Sequence, residues 1–122
     1  MKLHSVLVGV MLAGVAGMGV AKPNYNAGFL AAESRDYPEA VKNWEPLAKK
    51  GDAMAQFNMA LLYHSGSGVP MDEKKAVEWY QKAAQGGHPL AQEYLAAGYE
   101  EGWFGLPKDK KKAAFWRKKL GE

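Results

Sequence analysis

Apolar positions in this chain recur at helical spacing in short blocks that end on glycine. Ala55, Met59, Leu62 and Tyr63 form one stripe, which predicts a helix over about 52–64. Ala76, Trp79, Tyr80, Ala83 and Ala84 form the next, over about 72–85. Between them, Ser65-Gly66-Ser67-Gly68-Val69-Pro70 breaks the pattern. Asp52 and Asp72 stand where a carboxylate can accept hydrogen bonds from the free amides of a starting helix. Gly51 and Gly86-Gly87 suit helix ends, since glycine tolerates the left-handed conformation there. His88-Pro89 opens a helix over about 89–101, with proline in the first turn, where its missing amide costs nothing. A last helix is expected over about 109–120. Upstream lie a helix over about 25–34, a tight turn at Arg35-Asp36-Tyr37 and a helix starting at Pro38. Small alanines alternate with large aromatics on the inward faces. The alanines let helix backbones approach, and the aromatics fill the space between.

The blocks also repeat. Ala55-Gln56 returns 36 positions later as Ala91-Gln92, Tyr63 as Tyr99 and Gly66 as Gly102. One inserted residue later, Asp72 returns as Asp109, Ala76 as Ala113 and Trp79 as Trp116. Upstream, Ala40-Val41 anticipates Ala76-Val77, and Gly51 anticipates Gly87. A fixed period of this size marks a stack of small units rather than one globular core. Stacked units make binding surfaces more often than catalytic clefts. The division is a shortened N-terminal unit at 22–52, a full unit at 53–88 and a C-terminal unit at 89–122, six helices in all. A shortened, atypical first unit is what a terminal cap looks like.

The strings Ala55-Gln56-Phe57-Asn58-Met59-Ala60-Leu61-Leu62-Tyr63, Gly66-Ser67-Gly68-Val69-Pro70-Met71-Asp72 and Ala76-Val77-Glu78-Trp79-Tyr80-Gln81-Lys82-Ala83-Ala84 carry a further message. In order and spacing they resemble the Sel-one-like repeat (SLR) family, a relative of the tetratricopeptide repeat. The resemblance covers nearly all of 22–122. It departs at Ala60 and Ala96, where the family has glycine, at the looser third turn, and at Asn43 and Arg117 in the outer units. It implies an all-α, right-handed solenoid with a concave groove lined by the first helix of each unit. It also implies an adaptor role, holding a partner protein in that groove. On that geometry the groove residues are Gln56, Asn58, Gln92 and Glu93, with Tyr63 and Tyr99 near the floor. Some exported relatives are linked to cell-wall or β-lactam binding, but they carry a disulfide in each repeat and this chain has no Cys.

The N-terminus sets the compartment. Met1-Lys2 gives a positive charge, 6–20 is an uncharged apolar and small run, and Gly19-Val20-Ala21 has small residues at the first and third positions. These are the parts of a secretory signal peptide at 1–21, cut after Ala21. The run is short for the ~20 residues of a spanning helix and rich in glycine, which argues against an uncleaved anchor. A periplasmic or secreted bacterial protein is expected, touching membrane only through the signal before cleavage. With no Cys in the chain, its stability must come from packing.

Charge narrows the partners. The net charge of +3 is too small to imply nucleic acid. Its distribution is uneven, because Lys108, Lys110, Lys111, Lys112, Arg117, Lys118 and Lys119 crowd the last helix. A solvated face is the plain reading, and contact with an anionic envelope component is the sharper one.

No catalytic constellation emerges. His64 and His88 fall short of the three or four ligands zinc requires. Ser65 and Ser67 are accounted for by the turn, and a serine nucleophile would need a base and an oxyanion site beside it. Glu100 and Glu101 are adjacent on a helix and so point apart. No enzyme, cofactor or metal is expected. Trp79, Tyr80, Trp116, Tyr63 and Tyr99 read as core, and Trp44 is expected to pack on the middle unit. Trp103 and Phe104 sit in a turn between Gly102 and Gly105, and Phe115 stands where other units have Glu78 and Lys42. These three are candidate exposed anchors for a partner or a weak homo-oligomer. The expected function is therefore an exported, non-enzymatic protein-binding module. The alternatives are a cell-wall glycan or β-lactam-related binding protein, or an inhibitor or immunity protein for one enzyme.

Overall fold

The computed structural model describes residues 22–103 and 105–121. The expected signal peptide therefore lies outside the described residues, as does Phe104. Six helices follow one another: α1 Tyr25–Glu33, α2 Tyr37–Lys49, α3 Ala53–Ser65, α4 Glu73–Gln85, α5 Pro89–Glu101 and α6 Lys110–Lys119. Each packs chiefly on its neighbours in sequence. That is the contact pattern of an all-α repeat solenoid.

Every helix starts on a side-chain cap. The acceptors are Asn24, Asp36, Asp52, Asp72 and Asp109, and at α5 the Nδ1 of His88, which accepts from the amide of Ala91 at 3.3 Å. Each such cap is worth about 1 kcal/mol. At the other end, α3 and α5 close on Gly66 and Gly102 in the left-handed region, at φ 70° and 75°. A branched residue there would be strained.

The three units share one internal register. The amide of Asp36 donates to the carbonyl of Ala31 at 2.7 Å, that of Asp72 to Tyr63 at 2.9 Å, and that of Asp109 to Tyr99 at 2.9 Å. Ala31, Tyr63 and Tyr99 are thus equivalent. Three residues earlier, so are Gly28, Ala60 and Ala96, all buried where the first helix meets the second. The larger the residue lying on this position, the smaller it must be. A Cβ on Gly28 would sit 2.3 Å from the indole Nε1 of Trp44. Trp44 also donates from Nε1 to the carbonyl of Tyr25 at 2.9 Å. Its indole therefore ties its helix to α1 within its own unit. The corresponding residue in the middle unit is Tyr80, fully buried; in the last it is Arg117, which pairs with Glu100. A bidentate ion pair suits this wetter position, where both side chains are more than a third exposed.

Units are joined by packing and by hydrogen bonds that cross the boundaries. Gln56 Nε2 donates to the carbonyl of Ala48, and Gln92 Nε2 donates to the carbonyl of Ala84, each at 3.0 Å. Buried alanines on both sides (Ala48 and Ala55, then Ala84 and Ala91) let the helices approach closely enough for this. The turn after α3 also rests on the first unit: a Cβ on Gly68 would lie 2.7 Å from the carbonyl oxygen of Tyr37. At the next boundary Phe57 stacks on His88 with ring centroids 4.4 Å apart, and meets Tyr80 and Tyr94 at 5.8 and 5.5 Å.

Candidate functional site

Most side chains that leave this packing on the first helices fall in one stripe per helix, while Leu30 on α1, 64% exposed, lies off it. On α3 they are Met54, Asn58, Leu61 and Ser65, spaced by four, three and four residues, which is one helical face. On α5 the same register gives Leu90, Tyr94, Ala97 and Glu101, with Glu93 at its edge. On α1 it gives Asn26, Phe29 and Glu33. The stripes lie side by side. Asn58 Nδ2 on α3 donates to the Tyr25 hydroxyl on α1 at 2.9 Å, and Phe57 on α3 meets Tyr94 on α5 edge-on.

This face is unusually apolar for exposed surface. Met54 is 51% exposed, Leu90 50% and Phe29 48%. A hollow of about 420 Å³ opens beside Leu61, His64 and Ser65. The local reason is in α3, which is apolar nearly all round (AMAQFNMALLYHS) and is buried on most of its circumference, so that Met54 and Leu61 fall on the narrow open remainder. Contiguous apolar surface of this kind marks an interaction site more often than scattered single residues do.

The groove residues read from sequence separate into two groups. Asn58 and Glu93 lie on this face. Gln56 and Gln92 do not: at 6% and 8% exposure they are interior, held by their back-bonds to Ala48 and Ala84. The expectation of outward amides is corrected for both, because a carbonyl at the preceding helix end captures the side chain. Tyr63 and Tyr99 are likewise interior, on the side of each first helix turned towards its second helix. Lys75 lies over the ring of Tyr63 and Lys112 over that of Tyr99, each 5.3 Å from the centroid, so the second helices roof both tyrosines. Neither is at a groove floor. Met54, Leu61, Leu90, Tyr94 and Phe29 are the residues that sequence reading missed. The signal was present, since Met54 and Leu90 are repeat equivalents, apolar in both units and off the buried stripe.

The other candidate anchors lie at the C-terminal end. Trp103 is 45% exposed and Phe115 52%. Phe115 meets Trp116 edge-on at 4.9 Å, and Lys119 lies over its ring at 5.5 Å. A hollow of about 390 Å³ is bordered by Phe115, Trp116, Lys119 and Gln92.

Three titratable groups are shifted by their surroundings. Burial pushes the Tyr80 hydroxyl well above its ordinary range and lowers the imidazole of His88. The Arg117 guanidinium holds the Glu100 carboxyl below its usual value. Among the described residues no cluster of His, Asp and Glu could hold a metal ion, and no helix is long and apolar enough to cross a membrane.

Comparison with known proteins places this architecture. The Sel1 repeat model matches three times, over residues 18–52, 53–88 and 89–120. A solved Sel1 repeat protein from Oxalobacter formigenes superposes with a TM-score of 0.62 at 36% identity, covering 70% of this chain and 64% of that one. A protective antigen of uropathogenic Escherichia coli strains, displaying an SLR fold, superposes with a TM-score of 0.63 at 34% identity, covering 70% of this chain and 18% of its own. Among curated proteins, the DAP3-binding cell death enhancer 1 of Rattus norvegicus is 42% identical over 60 residues, 49% of this chain. The ERAD-associated E3 ubiquitin-protein ligase component HRD3A of Arabidopsis thaliana is 33% identical over 78 residues, 63% of this chain. The match spans 12% of the length of each of these two relatives.

Proposed function

The chain belongs to the Sel1 repeat family, whose repeats mediate protein–protein interaction, and from that premise we propose that it is a non-enzymatic module that docks a partner protein on its first-helix face. The observation that carries the reading is the apolar stripe of Met54, Leu61, Leu90 and Phe29, aligned across three helices and left open. A face built on packed helices is already in its binding shape, so a partner segment is the only side that must order itself. Two relatives are named for such roles: one binds DAP3, and one is a component of a ubiquitin ligase. Their names support the class of function and carry no partner over to this chain.

Export belongs to the same proposal, with the signal peptide cut after Ala21 and the partner in the periplasm or outside the cell. Mass spectrometry of the protein recovered from its own cell tests this. A chain starting at Lys22 supports export, and one retaining the first 21 residues overturns it.

The docking face is tested by crosslinking in that same cell. A photoreactive residue is placed at Met54, at Leu90 and, as control, at exposed Lys74 on α4. One protein captured at both Met54 and Leu90 and absent at Lys74 is the expected result. The same proteins at all three positions, or none at Met54 and Leu90, would overturn the assignment.

A further inference from the structure

The charges of this molecule are sorted by helix. None of its 16 Lys and Arg lies on α1, α3 or α5. Most lie on the second helices, α6 above all. The first helices instead carry Glu33, Glu93, Glu100 and Glu101 as their only charged side chains apart from histidine. Glu100 is engaged by Arg117, so Glu33, Glu93 and Glu101 remain exposed on the candidate face, each on the stripe or at its edge. Packing does not require this division. Exposed helix positions accept Lys and Glu equally well on propensity, and the second helices use both.

From this division we infer that the segment docked on the first-helix face combines apolar anchors with lysine or arginine. The inference rests on the proposed docking face and adds the partner's chemistry to it. Met54 and Leu61 are about 10 Å apart along α3, two helical turns, and suit anchors spaced by roughly seven residues on a helical partner. Glu33 and Glu101 flank the apolar middle at the far ends of their helices, and Glu93 lies beside Leu90. A cationic segment meets three exposed carboxylates beside its apolar contact and no lysine or arginine on the helices that bear it, whereas an acidic one meets like charge from those helices.

The test uses two fluorescein-labelled synthetic peptides with identical leucine spacing, one bearing lysines and the other glutamates at the remaining positions. Binding to the protein is followed by anisotropy at low salt, and again at roughly 0.5 M salt, where charges are screened within about 4–5 Å. The lysine peptide should bind at least ~10-fold more tightly at low salt, and salt should erase most of that advantage. The double variant Glu33→Lys/Glu93→Lys should reverse the preference in favour of the glutamate peptide. That gain cannot come from misfolding. Equal binding of the two peptides, a glutamate preference, or no binding of either up to ~1 mM would overturn the inferred chemistry. If Met54→Asn/Leu90→Asn then still abolished the binding seen, the docking face itself would stand; binding indifferent to that variant would overturn both. The protein's own α6 is basic and carries exposed Phe115, so sedimentation of the protein alone is run in parallel. Self-association lost in the Met54→Asn/Leu90→Asn variant would make a second copy the occupant and overturn the assignment to a separate partner.

Discussion

Gln56 and Gln92 occupy equivalent positions and make the same back-bond, yet replacing them should give opposite results. Each is exchanged for methionine, which preserves length and volume while removing the amide. At Gln92 the lost bond is a buried 3.0 Å contact to the Ala84 carbonyl. That carbonyl still accepts from the amide of Gly87 at 3.0 Å, so it is not orphaned. The expected loss is the net value of one hydrogen bond, about 1 kcal/mol. At Gln56 the same bond is lost, and the Ala48 carbonyl keeps the amide of Gly51 at 3.1 Å. Here, however, the amide oxygen Oε1 is buried with no hydrogen-bond partner among the described residues. Keeping such an atom dry costs about 1–3 kcal/mol, as much as the bond returns or more. Gln56→Met should therefore be neutral or stabilising by about 1 kcal/mol. The assay is urea unfolding followed by circular dichroism. For a domain of this size 1 kcal/mol moves the midpoint by roughly 0.5–1 M with the slope unchanged. Equal destabilisation by both variants would refute the reasoning. It would mean that Gln56 Oε1 is satisfied, an ordered water being the ordinary way.

Three further outcomes follow from the structure. Gly68→Ala combines a left-handed φ of 72° with a Cβ 2.7 Å from the Tyr37 carbonyl oxygen, and should cost about 2–4 kcal/mol; a midpoint shift of under ~0.3 M urea would contradict that. Pro46 lies inside α2, where it withholds an amide, so Pro46→Ala should raise the thermal midpoint, by on the order of 1–3 kcal/mol in stability; an unchanged midpoint would mean the ring's packing compensates. His88 caps α5 only when its Nδ1 is unprotonated, and burial lowers its affinity for protons in the fold. Between the folded value and the unfolded value of 6.5 the unfolded chain holds more protons, so stability is full above 6.5 and declines as pH falls through the folded value. His88→Asp should flatten urea midpoints measured between pH 7.5 and 5, and an unaltered slope would exclude His88 as the group.

What could be read in advance was whatever depends on local chemistry. The helix over 89–101 begins at a proline and ends before a glycine, and α5 has those limits. The cap positions of Asp52 and Asp72 were legible for the same reason, since an aspartate and its three following amides are neighbours in sequence. The fit of Trp44 against α1 was not legible because the first turn is shorter, with five residues from Ala31 to Asp36 against nine from Tyr63 to Asp72. That change hides the equivalence of Gly28 with Ala60, and with it the space into which the indole fits. Gln56 and Gln92 were misread because polarity in sequence does not reveal a carbonyl arriving from the preceding helix. Tyr63 and Tyr99 are core, as their helical spacing implied, but the side they occupy was not legible because the lysines that roof them come from the second helix, 12 and 13 residues on. The exposed methionine and leucine stripe is hidden within α3 alone, which is apolar nearly all round, and shows only in the match of Met54 to Leu90 across units.

The sorting of charge by helix has a mechanical consequence. A body with its cations gathered on one flank and none on another has a large permanent dipole moment. In the field of any charged boundary it experiences a torque as well as a pull. Beside a polyanion it turns α6, which carries its densest cations, inward, while the first helices, which carry none, are not drawn to the boundary. On a cation-exchange resin it is retained in one orientation, despite a net charge of only +3. A mobile partner would then meet a receptor already aligned, so that part of the orientational search in a bimolecular encounter is completed before the collision.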